Sequence, residues 1–91
     1  MQFEWNSDKA NLNLKKHGVS FSEASTVFND SLSVTFPDPD HSYGEERYVI
    51  IGLFSASRTL IVPHTDRADR VRIISAREAT RNEQRFYEDG E

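Results

Sequence analysis

Three runs between residues 47 and 76 constrain the fold most. "RYVIIGLF", "RTLIVPHT" and "RVRIISA" are rich in Val, Ile and aromatic residues, the side chains that suit a pleated, half-buried surface. Their separators, "SAS" and "DRAD", are short enough for antiparallel hairpins. A fourth run, "SLSVTF", alternates Leu32, Val34 and Phe36 against Ser31, Ser33 and Thr35, which predicts a half-buried strand. Between it and the others, "PDPDHSYGEE" has the prolines, acids and glycine of a loop.

Helices flank this run of strands. "MQFEW" reads as a short first strand with Phe3 and Trp5 opposite Gln2 and Glu4. "NSDKANLNLKKHG" reads as a helix capped by Asn6 or Ser7. Asp8 favours its positive end, Lys15, Lys16 and His17 its negative end, and Gly18 stops it. Ser20 and Glu23 have the spacing of a capping box, followed by a stripe of Phe21, Ala24, Val27 and Phe28. "REATRNEQRFYEDG" predicts a closing helix, with Ser75 and Glu78 repeating that spacing and Gly90 as the stop. The order β, α, α, β, β, β, β, α predicts a single α+β domain over residues 1–91: a curved antiparallel sheet of about four strands, helices on one face.

Composition limits the classes. The 91 residues include no cysteine, which excludes a disulfide scaffold and a Cys-based zinc site and is compatible with a reducing cytoplasm. No run approaches the ~20 apolar residues that span a bilayer, and no membrane partner is expected. The formal net charge is -4, yet residues 58–77 hold five arginines against Asp66 and Asp69. A basic stripe between acidic flanks can be a local anion site. It can equally be a strand edge protected from pairing.

Several blocks resemble one family. "FEW" and "KHGVSF" followed by "EA", then "DPDHSYGEERY" with "IG", and finally "HT" leading into "RIISAR" resemble, in order, the BrnT toxins of bacterial type II toxin–antitoxin modules. The resemblance implies a RelE-like α+β fold and a cytoplasmic, metal-independent endoribonuclease that needs no cofactor and inhibits translation. It also implies a BrnA-like antitoxin of ribbon-helix-helix type that binds DNA and forms a complex with the toxin, as a heterotetramer in one arrangement.

Metal-free RNA cleavage needs a base for the 2′-OH, an acid for the leaving 5′-oxygen and cations for the charge that builds on phosphorus. Arg72 and Arg77 suit the last role, because a guanidinium pairs with phosphate at two points. In a regular strand they point to opposite faces, so they converge only if the strand bends, bulges or ends before Arg77. An ending at Ser75 would put Arg77 at a helix N-terminus; its bland alternative is a surface ion pair with Glu78 or Glu83. His64 is a catalytic candidate, because an unperturbed histidine titrates near neutral pH. A three-residue turn at "DRAD" sets it opposite Arg72, whereas a two- or four-residue turn sets it against Val71. Pro63 beside it marks an edge or a strand terminus. Tyr87 is a candidate donor to phosphate and shares a helix face with Glu83. Lys16, His17, Arg47, Arg67 and Glu83 are candidate substrate contacts. Asp38, Asp40 and His41 have turn chemistry and lack the fixed geometry of a metal site. The rival reading is a non-catalytic, protein-binding homologue that uses the arginine-bearing sheet as its interface. Duplex DNA binding by this chain alone is disfavoured by its negative charge.

Overall fold

In the computed structural model, residues 1–54 and 57–89 are described. One sheet organises the chain. Its strands are β1 (Gln2–Glu4), β2 (Val34–Pro37), β3 (Arg47–Phe54), β4 (Arg58–Arg67), β5 (Arg70–Ile73) and β6 (Arg77–Glu78). The spatial order is β1-β5-β4-β3-β2, and β6 pairs with β4 beyond the end of β5. The β2–β5 meander is antiparallel as expected, but β1 adds to β5 in parallel, so the sheet is mixed.

The two N-terminal helix signals are local and hold. Helix α1 (Ser7–His17) is capped by the Asn6 side chain, which accepts from the Lys9 N–H, and it ends at Gly18 in the left-handed region (φ 69). Helix α2 (Phe21–Ser25) begins with the complete Ser20–Glu23 capping box and tightens into a 3₁₀ turn over Thr26–Asn29. These elements cover one sheet face. Val19, Phe21, Ala24 and Val27 pack there against Ile50, Phe54, Leu60, Val62 and Ile73, and Trp5 meets Phe21 edge-on. Gly52 lies under this cover, where a Cβ would come within 2.8 Å of Val27 Cγ1.

The C-terminal reading needs correction. Arg77 and Glu78 form β6, and α3 runs only over Arg81–Asp89. Its capping box is Thr80 with Glu83: the Thr80 N–H donates to Glu83 and the Glu83 N–H donates to Thr80 Oγ1. Ser75 and Glu78 have the same spacing, but pairing with β4 claims Arg77 and Glu78. Gly90 lies outside the described residues, as does part of the "SAS" separator. Nor do all helices share one face. Phe86 of α3 meets Phe36 of β2, and Asn82, Glu83 and Phe86 border Val34, Val49, Ile51, Ile61 and Pro63 on the face opposite α2. Among the described residues no helix is long and apolar enough to cross a membrane.

Candidate functional site

The link from β5 to β6 decides where the arginines point. His64 pairs with Ile73, and Ile61 pairs with Arg77. Three steps along β4 therefore face four steps along the opposing chain. The extra residue is a β-bulge within 74–76, and it resets the alternation of side chains. Arg72 pairs with Thr65 and Arg77 with Ile61. Thr65 and Ile61 lie four apart on one strand, so both arginines stand on one face. Pro63 occupies the central strand opposite this bulge. Its carbonyl accepts from the Ile74 N–H (3.0 Å), and its missing N–H falls where the ladder is already broken. The expected edge or terminus is thus a bulge.

Asn13 of α1 holds the bulge in place. Its Nδ2 donates to the carbonyls of Ala76 (2.8 Å) and Val19 (3.0 Å), and its Oδ1 accepts from the Ala76 N–H (3.1 Å). The side chain is 6 % exposed and acts as a short piece of strand for a residue that has lost its ladder.

The arginine face carries its own counter-charges. Arg72 donates to Glu4 Oε2 at 2.8 Å. Arg67 reaches Glu45 at 3.2 Å and Glu4 at 3.9 Å. Arg77 grips Glu83 with both ends of its fork, at 2.8 and 2.9 Å. That pairing, with further hydrogen bonds from Thr80, holds the Glu83 carboxyl down at about 2 and raises Arg77. Arg47, half-buried and paired across the ladder with Thr65, has no carboxylate within 4.0 Å among the described residues. Beside Arg77, between α3 and the sheet, lies an open, mainly apolar groove of about 830 Å³.

His64 is not part of this face. The two-residue turn at Ala68 and Asp69 pairs Arg67 with Arg70, which places His64 opposite Ile73 rather than Arg72 or Val71. The ring is 4 % exposed, lies edge-on to Phe28 at 4.8 Å, and its Nδ1 is 2.9 Å from the Val62 carbonyl. Burial pushes its pKa below the ordinary 6.5. Tyr87 is also engaged elsewhere. Its hydroxyl donates to Asp30 Oδ2 at 2.6 Å, and this bond raises the phenol to about 12. Asp30 also accepts the N–H groups of Leu32 and Leu53; burial raises its pKa, but the Tyr87 hydroxyl together with these two N–H groups outweighs it and keeps the pKa low. Lys16 and His17 border a separate small groove with Asn13, Ile74 and Ser75, on the α1 side of the bulge. His41 sits against Asp38 in the loop. Among the described residues no cluster of three or more His, Asp or Glu side chains is placed to hold a metal ion.

A family model described as the ribonuclease toxin BrnT of type II toxin–antitoxin systems matches residues 5–83. The chain belongs to the BrnT family. Among solved structures, the crystal structure of the Brucella abortus ribonuclease toxin BrnT matches with a TM-score of 0.70 and 23% sequence identity, covering 89% of this chain and 99% of that one. That likeness supports the α+β fold. A search of curated proteins finds no match. As a member of a type II toxin family, this BrnT chain has an antitoxin as its class of partner. The matched region contains the bulge, Asn13 and all of Arg47, Arg67, Arg72 and Arg77. Asn13, Asp30 and Glu45 were not evident as site-shaping residues, since an Asn between leucines in a helix reads as a surface position. The usable signal for Asn13 is its place three residues after Ala10, which packs against the core from the same side of the helix.

Proposed function

We propose that this chain is a ribonuclease toxin that cleaves single-stranded RNA without a metal ion, arrests translation and is neutralised by a BrnA-type antitoxin. The observation that carries the reading is the bulge that aligns Arg72 and Arg77 on one face, with Arg67 and Arg47 beside them. Guanidinium forks there can bind successive phosphates and stabilise the charge that develops on phosphorus. In this reading Lys16 and His17 contact RNA only if the strand passes around the bulge. His64 and Tyr87 support the fold, because one is buried on the other face and the other is committed to Asp30.

The test uses purified protein and a single-stranded RNA in excess EDTA. Fragments are expected with wild type, and Arg72→Ala and Arg77→Ala should each lower the rate about 100-fold, the scale of losing one charge-stabilising donor. Intact RNA with folded wild-type protein sinks the proposal. The second reading, a protein-binding homologue without catalysis, is favoured by one observation: Arg67, Arg72 and Arg77 are already paired with carboxylates. Copurification with an antitoxin as a heterotetramer, with RNA left uncut, would support it.

A further inference from the structure

Arg77 presents its fork to Glu83 in the geometry that it would use for a phosphate, with two parallel N–H donors on two oxygens. One fork cannot hold both partners in that way. Glu83 is also not a loose surface side chain. Its Oε1 accepts from the Thr80 N–H at 2.8 Å, and its own N–H is held by Thr80, so the first turn of α3 presents the carboxylate already oriented. Helix α3 buries no residue completely and borders an open groove, which leaves room for its first turn to shift. Glu4 and Glu45 likewise meet Arg72 and Arg67, each through a single contact. Three arginines of the face are balanced by three carboxylates.

We infer that Glu83 is a built-in competitor for the RNA phosphate at Arg77 and thereby sets how tightly the chain holds its substrate. This rests on the reading of Arg77 as a phosphate contact. RNA that binds here exchanges one anion for another at Arg77, so the gain from that contact is small until Glu83 is moved or neutralised. The carboxylates on Arg67, Arg72 and Arg77 also fit an acidic chain that lines a strand with arginine.

Glu83→Gln is the decisive variant, because Gln serves equally at this position of a capping box and so preserves the start of α3. The probe is a short, fluorescent 2′-O-methyl RNA oligonucleotide, which lacks the free 2′-OH and stays intact. Its binding is followed by anisotropy across a salt series, with Arg77→Gln and the double variant in parallel. Glu83→Gln should bind about tenfold tighter, the range of a partly exposed, charge-assisted pair. Its slope of log K against log salt should steepen by about 0.7, the value for one added phosphate contact on a single strand. The double variant should lose this gain. If Arg77→Gln weakens binding but Glu83→Gln does not tighten it, Glu83 is no competitor while the phosphate reading stands. If Arg77→Gln changes nothing, the phosphate reading falls and the inference falls with it. A second measurement needs no variant: the ¹³C resonance of the wild-type Glu83 carboxylate should move when the oligonucleotide is added. An unmoved resonance at saturation overturns the inference.

Discussion

Asn13→Ala removes three hydrogen bonds at once and tests whether the bulge depends on its clamp. The amide can serve all three partners in one orientation only, with Nδ2 toward the carbonyls of Ala76 and Val19 and Oδ1 toward the Ala76 N–H. Leaving a buried polar group unpaired costs about 1–3 kcal/mol, and three groups are left. The small groove lined by Asn13, Lys16, His17 and Ile74 admits water to part of the site, so the lower end applies. We expect a loss of about 3 kcal/mol from a chain whose total stability is on the order of 5–14 kcal/mol. In a domain of this size that is a fall in Tm of roughly 12–24 °C. Asn13→Asp should be no better, because a carboxylate cannot donate to either carbonyl. Urea denaturation followed by far-UV circular dichroism gives the free energy directly. An Asn13→Ala variant that loses less than about 1 kcal/mol would refute the reasoning, since one average net hydrogen bond is worth that much.

Gly52→Ala should also destabilise, by about 1–3 kcal/mol, as overpacking does. The new Cβ would stand 2.8 Å from Val27 Cγ1, 3.0 Å from Ser33 Cβ and 3.2 Å from Asp30 Oδ2, and a neutral result in the same urea assay would contradict the close approach. Stability should fall with pH in two windows. Burial holds His64 below 6.5 in the folded chain, so the unfolded chain takes up its proton first. Its contribution is intact above about 6.5 and is lost as pH falls through the depressed folded value. The Arg77 pairing holds Glu83 at about 2 against an ordinary 4.5, so its contribution is intact above 4.5 and is lost as pH falls toward 2. His64→Gln should flatten the first window and Glu83→Gln the second; unchanged pH profiles would show that neither group is linked to folding.

Local chemistry was legible and face assignment was not. The Asn6 cap, the Gly18 stop and the Ser20–Glu23 box each depend on residues within four positions, so spacing alone locates them. The meander was legible because its strands are apolar and its separators short. The C-terminal helix start was ambiguous, since Ser75–Glu78 and Thr80–Glu83 offer the same cap and only the pairing of Arg77 and Glu78 with β4 chooses between them.

By itself, then, the sequence determines the elements and their order as far as β5, and the presence of arginines near a strand end. Only the tertiary structure decides which face each arginine occupies. A single extra residue reverses side-chain parity, and the reason for that residue lies 63 positions away in Asn13, whose side chain bonds to Ala76. The same bulge accommodates Pro63 in a central strand and brings Arg77 to the face of Arg72. It leaves His64, on the unbroken register of β4 and β5, facing the core.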